Sequence, residues 1–154
     1  MMSPTYFLPC LWAFLACLGF CILFNIHGPG ILICALGGAL GWLCYLVCGL
    51  FFQNDLLQAF AAGLFISAWS EVMARIRKYP VTAYLLVAFF PLVPGGGIYY
   101  AMEYAIAGNV DQFVTTLLHT LGFSGSLAVG VLLVSSCVRI YTNALKRRQE
   151  KRPL

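Results

Sequence analysis

No aspartate, glutamate, lysine or arginine occurs before Asp55. Over the whole chain charged residues make up only 9%, against about 25% in an ordinary soluble domain. Five acids and nine bases cannot coat a water-soluble globule of this composition. A net charge of +4 is too small for the basic surface that a nucleic-acid binder needs, so no nucleic acid is expected as a partner. Low hydrophobicity, the condition for disorder, is missing too. The N-terminus lacks a basic n-region and a small-residue cleavage pattern and is not expected to be a secretory signal. Catalytic signatures are also missing: GxSxG, HExxH, Walker A and paired Cys-x-x-Cys do not occur. The chain is expected to be neither an enzyme nor its own ATP-driven motor, and no cofactor is called for.

What is present is apolar, 62% of the residues. The class that remains is an all-α integral membrane protein with lipid around it. Fifty-four uncharged residues would make a helix of about 80 Å at 1.5 Å per residue, far longer than the roughly 30 Å hydrocarbon core. They must fold back, and Asn25-Ile26-His27-Gly28-Pro29-Gly30 supplies the turn. Further breaks fall at Gln53-Asn54-Asp55, at Arg75-Ile76-Arg77-Lys78-Tyr79-Pro80 and at Gly108-Asn109-Val110-Asp111. The reading is five spans, at about 5–24, 31–52, 56–74, 81–107 and 113–138. They form one transmembrane domain, 1–145, followed by a basic tail, 146–154, with Lys146, Arg147, Arg148, Lys151 and Arg152. A four-span arrangement, with the first or second segment re-entrant, is the alternative.

Lys and Arg mark cytoplasmic loops. The cluster at 75–78 and the basic tail are two spans apart, so they share one side, which is expected to be the cytoplasm. Asp55 and Asp111 then lie outside, as does the N-terminus, in a multi-pass protein of the cell membrane.

The seven cysteines, Cys10, Cys17, Cys21, Cys34, Cys44, Cys48 and Cys137, all fall in apolar spans and read as small packing residues. Their odd number argues against full pairing, and no His or acid lies nearby to complete a metal set. His27 reads as a solvated turn residue. His119 lies inside the fifth span, where it either hydrogen-bonds a neighbouring helix or carries a proton.

The third span carries Ala59, Gly63, Ser67, Glu71 and Arg75 at four-residue spacing, hence on one helix face. Glu71 and Arg75 can pair with each other, and a charge inside a span is a functional candidate by default. The fifth span has a second small and polar face, Thr115, His119, Gly122, Ser126 and Gly130, and the second span has Gly37 and Gly41. Small faces allow close helix approach, and three of them suggest self-association or a second membrane subunit.

The fourth span is interrupted by Pro91-Leu92-Val93-Pro94-Gly95-Gly96-Gly97. Two prolines remove backbone donors and obstruct helical bonds, and three glycines follow. Lipid does not tolerate unpaired backbone groups, so the break must be buried in protein or line a wet cavity. The expected half-helices are about 81–91 and 98–107, with the break near mid-depth. The N–H groups of Gly95, Gly96 and Gly97 and of the half-helix starting near Ile98 could receive a carboxylate. Tyr99 and Tyr100 flank that position, and Glu103 follows one turn later.

The run from Ala74 to Pro80, the block Pro91-Leu92-Val93-Pro94-Gly95-Gly96, Tyr99, and Phe24-Asn25-Ile26 before the Gly-rich second span resemble the threonine/serine exporter family. The closer resemblance is to its short, five-span subunit type, which includes the small subunit of a bacterial succinate exporter. Arg75, Pro80, Pro91, Pro94, Gly95 and Tyr99 match family positions, and Glu71 matches many members. Glu103 and His119 match no family pattern and rest on physical chemistry alone. The resemblance implies one half of an inverted-repeat secondary transporter, working with a larger subunit of about five spans and an N-terminal hydrophilic domain.

The expected function is therefore export of a small carboxylate-bearing metabolite by alternating access. Pro91, Pro94, Gly95, Gly96, Gly97 and Tyr99 would form the substrate site, with Glu71, Arg75, Glu103 and His119 for gating or coupling. A dicarboxylate exporter subunit, a non-transporting assembly subunit and a homo-oligomeric pore are the alternatives.

Overall fold

A computed structural model describes the backbone of residues 7–150 and the side chains of residues 7–144. The expected first span therefore begins in part outside the described residues, as do Lys151 and Arg152. Six helices follow in order: α1 Leu8–Leu23, α2 Gly30–Phe51, α3 Asp55–Arg77, α4 Val81–Phe89, α5 Gly95–Ile106 and α6 Val110–Glu150. A 3-10 turn, Phe90–Leu92, extends α4. The protein is an all-α membrane protein.

The sequence dictates where most helices stop. Three of them end on a residue in the left-handed region, Asn25 after α1, Lys78 after α3 and Gly108 after α5. In each case the next N–H reaches back five residues: Ile26 to the Cys21 carbonyl, Tyr79 to Ala74 and Asn109 to Tyr104, at 2.9–3.1 Å. This closure satisfies carbonyls that the helix end leaves open. Pro80 then prevents α3 from resuming. α3 starts where the Asn54 side chain accepts from the Leu56 N–H at 3.0 Å, an N-cap.

Side-chain contacts fix the directions of the helices. Cys17 meets Gly38 and Cys21 meets Ile31, so α1 and α2 are antiparallel. Trp69 donates to the Ile33 carbonyl and Ile66 meets Gly41, so α2 and α3 are antiparallel too. Tyr84, Ala88 and Leu92 lie beside Gly30, Gly37 and Gly41 in turn, so α4 runs parallel to α2. Asp55 meets His119, Gly63 meets Leu127 and Ser67 meets Val131, a constant offset of 64 residues. Thus α3 and α6 are parallel, and α4 with α5 makes the return between them.

Helices α2 and α3 and the Val110–Ala144 part of α6 are each long and apolar enough to cross a bilayer. α4 with its 3-10 turn and α5 qualify together as one span bent by 50°. α1 has 16 residues, about 24 Å, short of the roughly 30 Å core. α6 is longer than expected: it continues unbroken to Glu150, through the start of the basic tail, over about 60 Å.

The small-residue faces find their partners inside the chain. Ala59, Gly63 and Ser67 are buried against α6, and Gly37 and Gly41 against Trp69, Ala88 and Ile66. Helix pairs within the chain cover the α2 and α3 faces, while Thr115 and His119 of the α6 face stay exposed. The outward residues are large and apolar, among them Trp12, Ile22, Phe51, Ile106 and Leu132, as suits a lipid-facing surface.

Candidate functional site

The break between α4 and α5 is narrower than its composition suggests. Pro91 fits the first turn of the 3-10 segment, and Leu92 is buried beside Gly41 and Ile66, about halfway along α2 and α3. Val93 is extended, as a residue before proline prefers. Pro94 has no N–H, and α5 begins directly after it. Gly95, Gly96 and Gly97 are therefore the first turn of α5, not an open loop ahead of Ile98. None of the three takes a positive φ, so nothing in their conformation opposes the helix once proline has ended the preceding one.

That shift changes which backbone donors are open. The Gly95 N–H bonds to the Val93 carbonyl at 2.7 Å and the Ile98 N–H reaches Pro94 at 3.3 Å. Gly96 and Gly97 remain as first-turn donors without a helical acceptor. A Cβ on Gly95 or Gly96 would meet nothing within 4 Å, whereas one on Gly97 would run into the Thr120 side chain of α6. Tyr99 and Tyr100 are exposed and lie edge to face, with ring centroids 5.5 Å apart.

The residues expected to gate or couple divide into three places. Glu71 and Arg75 do pair, at 3.1 Å, and Arg75 also donates to the Glu71 carbonyl at 3.0 Å. Together with Ser135, Ser136, Arg139 and Thr142 of α6 they line a cavity of about 410 Å³. The Glu71 side chain is only 12% exposed. Arg139 makes no ion pair among the described residues. Sequence reading missed Arg139 as a site residue; the parallel run of α3 beside α6 brings it there, and no spacing within one helix signals it.

His119 sits at the other end of the same helix pair. Its Nε2 is 2.7 Å from Asp55 Oδ2. In the sequence Asp55 reads only as a loop acid, and its role as partner follows from the same 64-residue offset. Both side chains are substantially exposed, 56% for His119 and 41% for Asp55. Thr120, the next residue of α6, is the one against Gly97. Glu103 joins neither group. It lies exposed on α5 in a shallow, mostly apolar depression with Tyr99, Met102, Ile106 and Ala107.

The cysteines are free thiols, and Cys17 donates to the Val87 carbonyl at 3.2 Å, joining α1 to α4. His27 faces its own turn, with Nδ1 2.9 Å from the Asn25 carbonyl. Among the described residues, no group of three or more His, Cys, Asp or Glu is placed to hold a metal ion.

Comparison with known proteins matches residues 9–137 to the family described as Threonine/Serine exporter, ThrE. No curated protein and no solved structure matches the chain. The matched stretch takes in all but the first residue of α1, all of α2 to α5 and most of α6, including Glu71, Arg75 and the whole Pro91–Tyr99 block. This apolar helical bundle with its bent α4–α5 pair belongs to the threonine/serine exporter family.

Proposed function

We propose that the chain is a membrane subunit of a secondary transporter that exports a small carboxylate-bearing metabolite of the threonine/serine type. It works by alternating access with a larger partner subunit. The observation that carries this reading is the bent α4–α5 pair inside an exporter-family chain. Gly96 presents an open first-turn N–H where a carboxylate can approach the backbone, which is how broken helices serve anionic groups in transporters. Pro91 and Pro94 hold the break, Gly95 and Gly97 complete the turn, and Tyr99 lines the approach.

Glu71 and Arg75 act as the inner gate. His119 with Asp55 is the coupling pair: imidazole and carboxylate at 2.7 Å can share or release one proton as the outer end opens. Glu103 faces the partner subunit or water, because a carboxylate on an apolar helix does not face lipid. The basic ends of α3 and α6 lie in the cytoplasm, with the N-terminus outside.

The test is efflux of labelled threonine and serine from cells carrying this chain and its partner, with wild type compared against Gly96→Leu. The variant is expected to assemble normally and to lose export. Normal export by Gly96→Leu would remove the break from the site. Full export by the partner alone would make this chain an assembly subunit.

A further inference from the structure

The geometry points to a substrate-loading site in the cavity between α3 and α6 at the basic end, built for a zwitterionic amino acid and not for a dicarboxylate. The inference rests on the exporter reading and narrows its substrate class. The cavity holds one carboxylate, Glu71, and two guanidinium groups, Arg75 and Arg139, on facing helices. One guanidinium already has an anion beside it: Arg75 Nη1 bonds both Glu71 Oε2 and the Glu71 carbonyl. Arg139 has no ion pair among the described residues and can take a carboxylate in two-pronged fashion.

Glu71 has a further use. Arg75 contacts its Oε2, and the carboxylate, only 12% exposed, borders the cavity with Oε1 still able to accept a hydrogen bond. An ammonium group suits that oxygen. A second carboxylate does not, since it would meet a like charge. A dicarboxylate needs a cation at each end, and one of the two cations here is already paired.

Hydroxyl groups complete the wall. Ser135 and Ser136 line the cavity, and Ser135 is 3.4 Å from Ser67, which itself reaches the Val131 carbonyl. This network can accept or donate to a substrate hydroxyl, and a volume of about 410 Å³ admits an amino acid the size of threonine with water. The basic end is the side from which an exporter loads.

The test measures equilibrium binding of radiolabelled L-threonine to the purified full-length chain, with export followed separately in the assembled transporter. Unlabelled L-serine should compete. Threoninol, which lacks the carboxylate, 3-hydroxybutyrate, which lacks the ammonium group, and succinate should not. Arg139→Gln should weaken threonine binding about 10- to 100-fold, the range for a lost charge-assisted bond, and Arg139→Lys should restore part of it. Glu71→Gln should let 3-hydroxybutyrate compete.

Arg139 is exposed, so its replacement leaves folding intact. Absence of threonine binding to the wild type, equal binding by Arg139→Gln, or competition by succinate as strong as by serine would overturn the site. Arg139-dependent binding without export would uphold the cavity and overturn the exporter reading. Export without such binding would do the reverse.

Discussion

At the scale of single residues, neighbouring glycines in one turn have different jobs. Gly97 is fixed by packing: any side chain there drives into Thr120. Gly96 has open space around its α-carbon, so its replacement tests function with little strain. Gly97→Leu is expected to lower the thermal midpoint in detergent and the amount of folded protein, whereas Gly96→Leu leaves both within error and removes efflux. Equal destabilisation by both would mean that the turn is purely structural. The His119–Asp55 contact gives a second residue-level expectation. If the pair carries the coupling proton, His119→Gln and Asp55→Asn each abolish gradient-driven export but preserve exchange of labelled for unlabelled substrate at equal pH. Loss of exchange along with net export would instead assign the pair a structural or binding role.

At the scale of elements, the parallel pair α3 and α6 organises both ends of the bundle. It is close because two glycines stand at the crossing. A Cβ on Gly130 would come within 2.6 Å of the Phe60 carbonyl oxygen, and one on Gly63 within 2.7 Å of the Leu127 carbonyl oxygen. Backbone cannot yield as a side chain tip can, so Gly63→Val or Gly130→Val should cost roughly 1–3 kcal/mol. Gly19 on α1 meets nothing within 4 Å, and Gly19→Ala is the control expected to leave stability unchanged or slightly raised. Reversible unfolding in mixed micelles measures both, and a neutral Gly130→Val would show that α3 and α6 can separate freely.

The same pair shows what was legible in the sequence. The four-residue stripe on α3, the Glu71–Arg75 contact and the Pro-Gly break follow from local periodicity and from proline chemistry, and they are found. Asp55 with His119, and Arg139 with Glu71, depend on which helices lie side by side and at what offset. Periodicity within each helix carries no record of that. The sequence puts the start of α5 near Ile98 because three glycines read as loop. Proline alone ends the preceding helix, and glycine, though a weak helix former, can occupy a first turn whose N–H groups are free in any case.

At the scale of the whole molecule, the parallel course of α3 and α6 gathers charge by sign. Arg75 and Arg77 close α3, and Arg139 lies far along α6, so these bases share one end, while Asp55 and Asp111 begin the same two helices at the other. An alternating bundle with the basic end inside is the arrangement this favours, and α1 is its least secure member because it is short. Its packing nevertheless follows α2 a long way. Cys21 lies by Ile31 near the start of α2, Cys17 by Gly38, and Pro9 and Trp12 share a groove with Trp42 and Pro91 beyond the midpoint of α2. A helix that reaches past mid-depth in this way continues outward more readily than it turns back, since a reversal there would leave backbone groups unpaired in hydrocarbon. Reporter fusions test this directly. Alkaline phosphatase placed after Gln53 or Gly108 should be active, and after His27 or Tyr79 inactive. An epitope at the N-terminus should be reached by antibody in intact, outer-membrane-permeabilised cells. An epitope protected until the inner membrane is lysed, with the other fusions as expected, would make α1 re-entrant and leave four crossings, with the N-terminus and the basic ends of α3 and α6 on the same side.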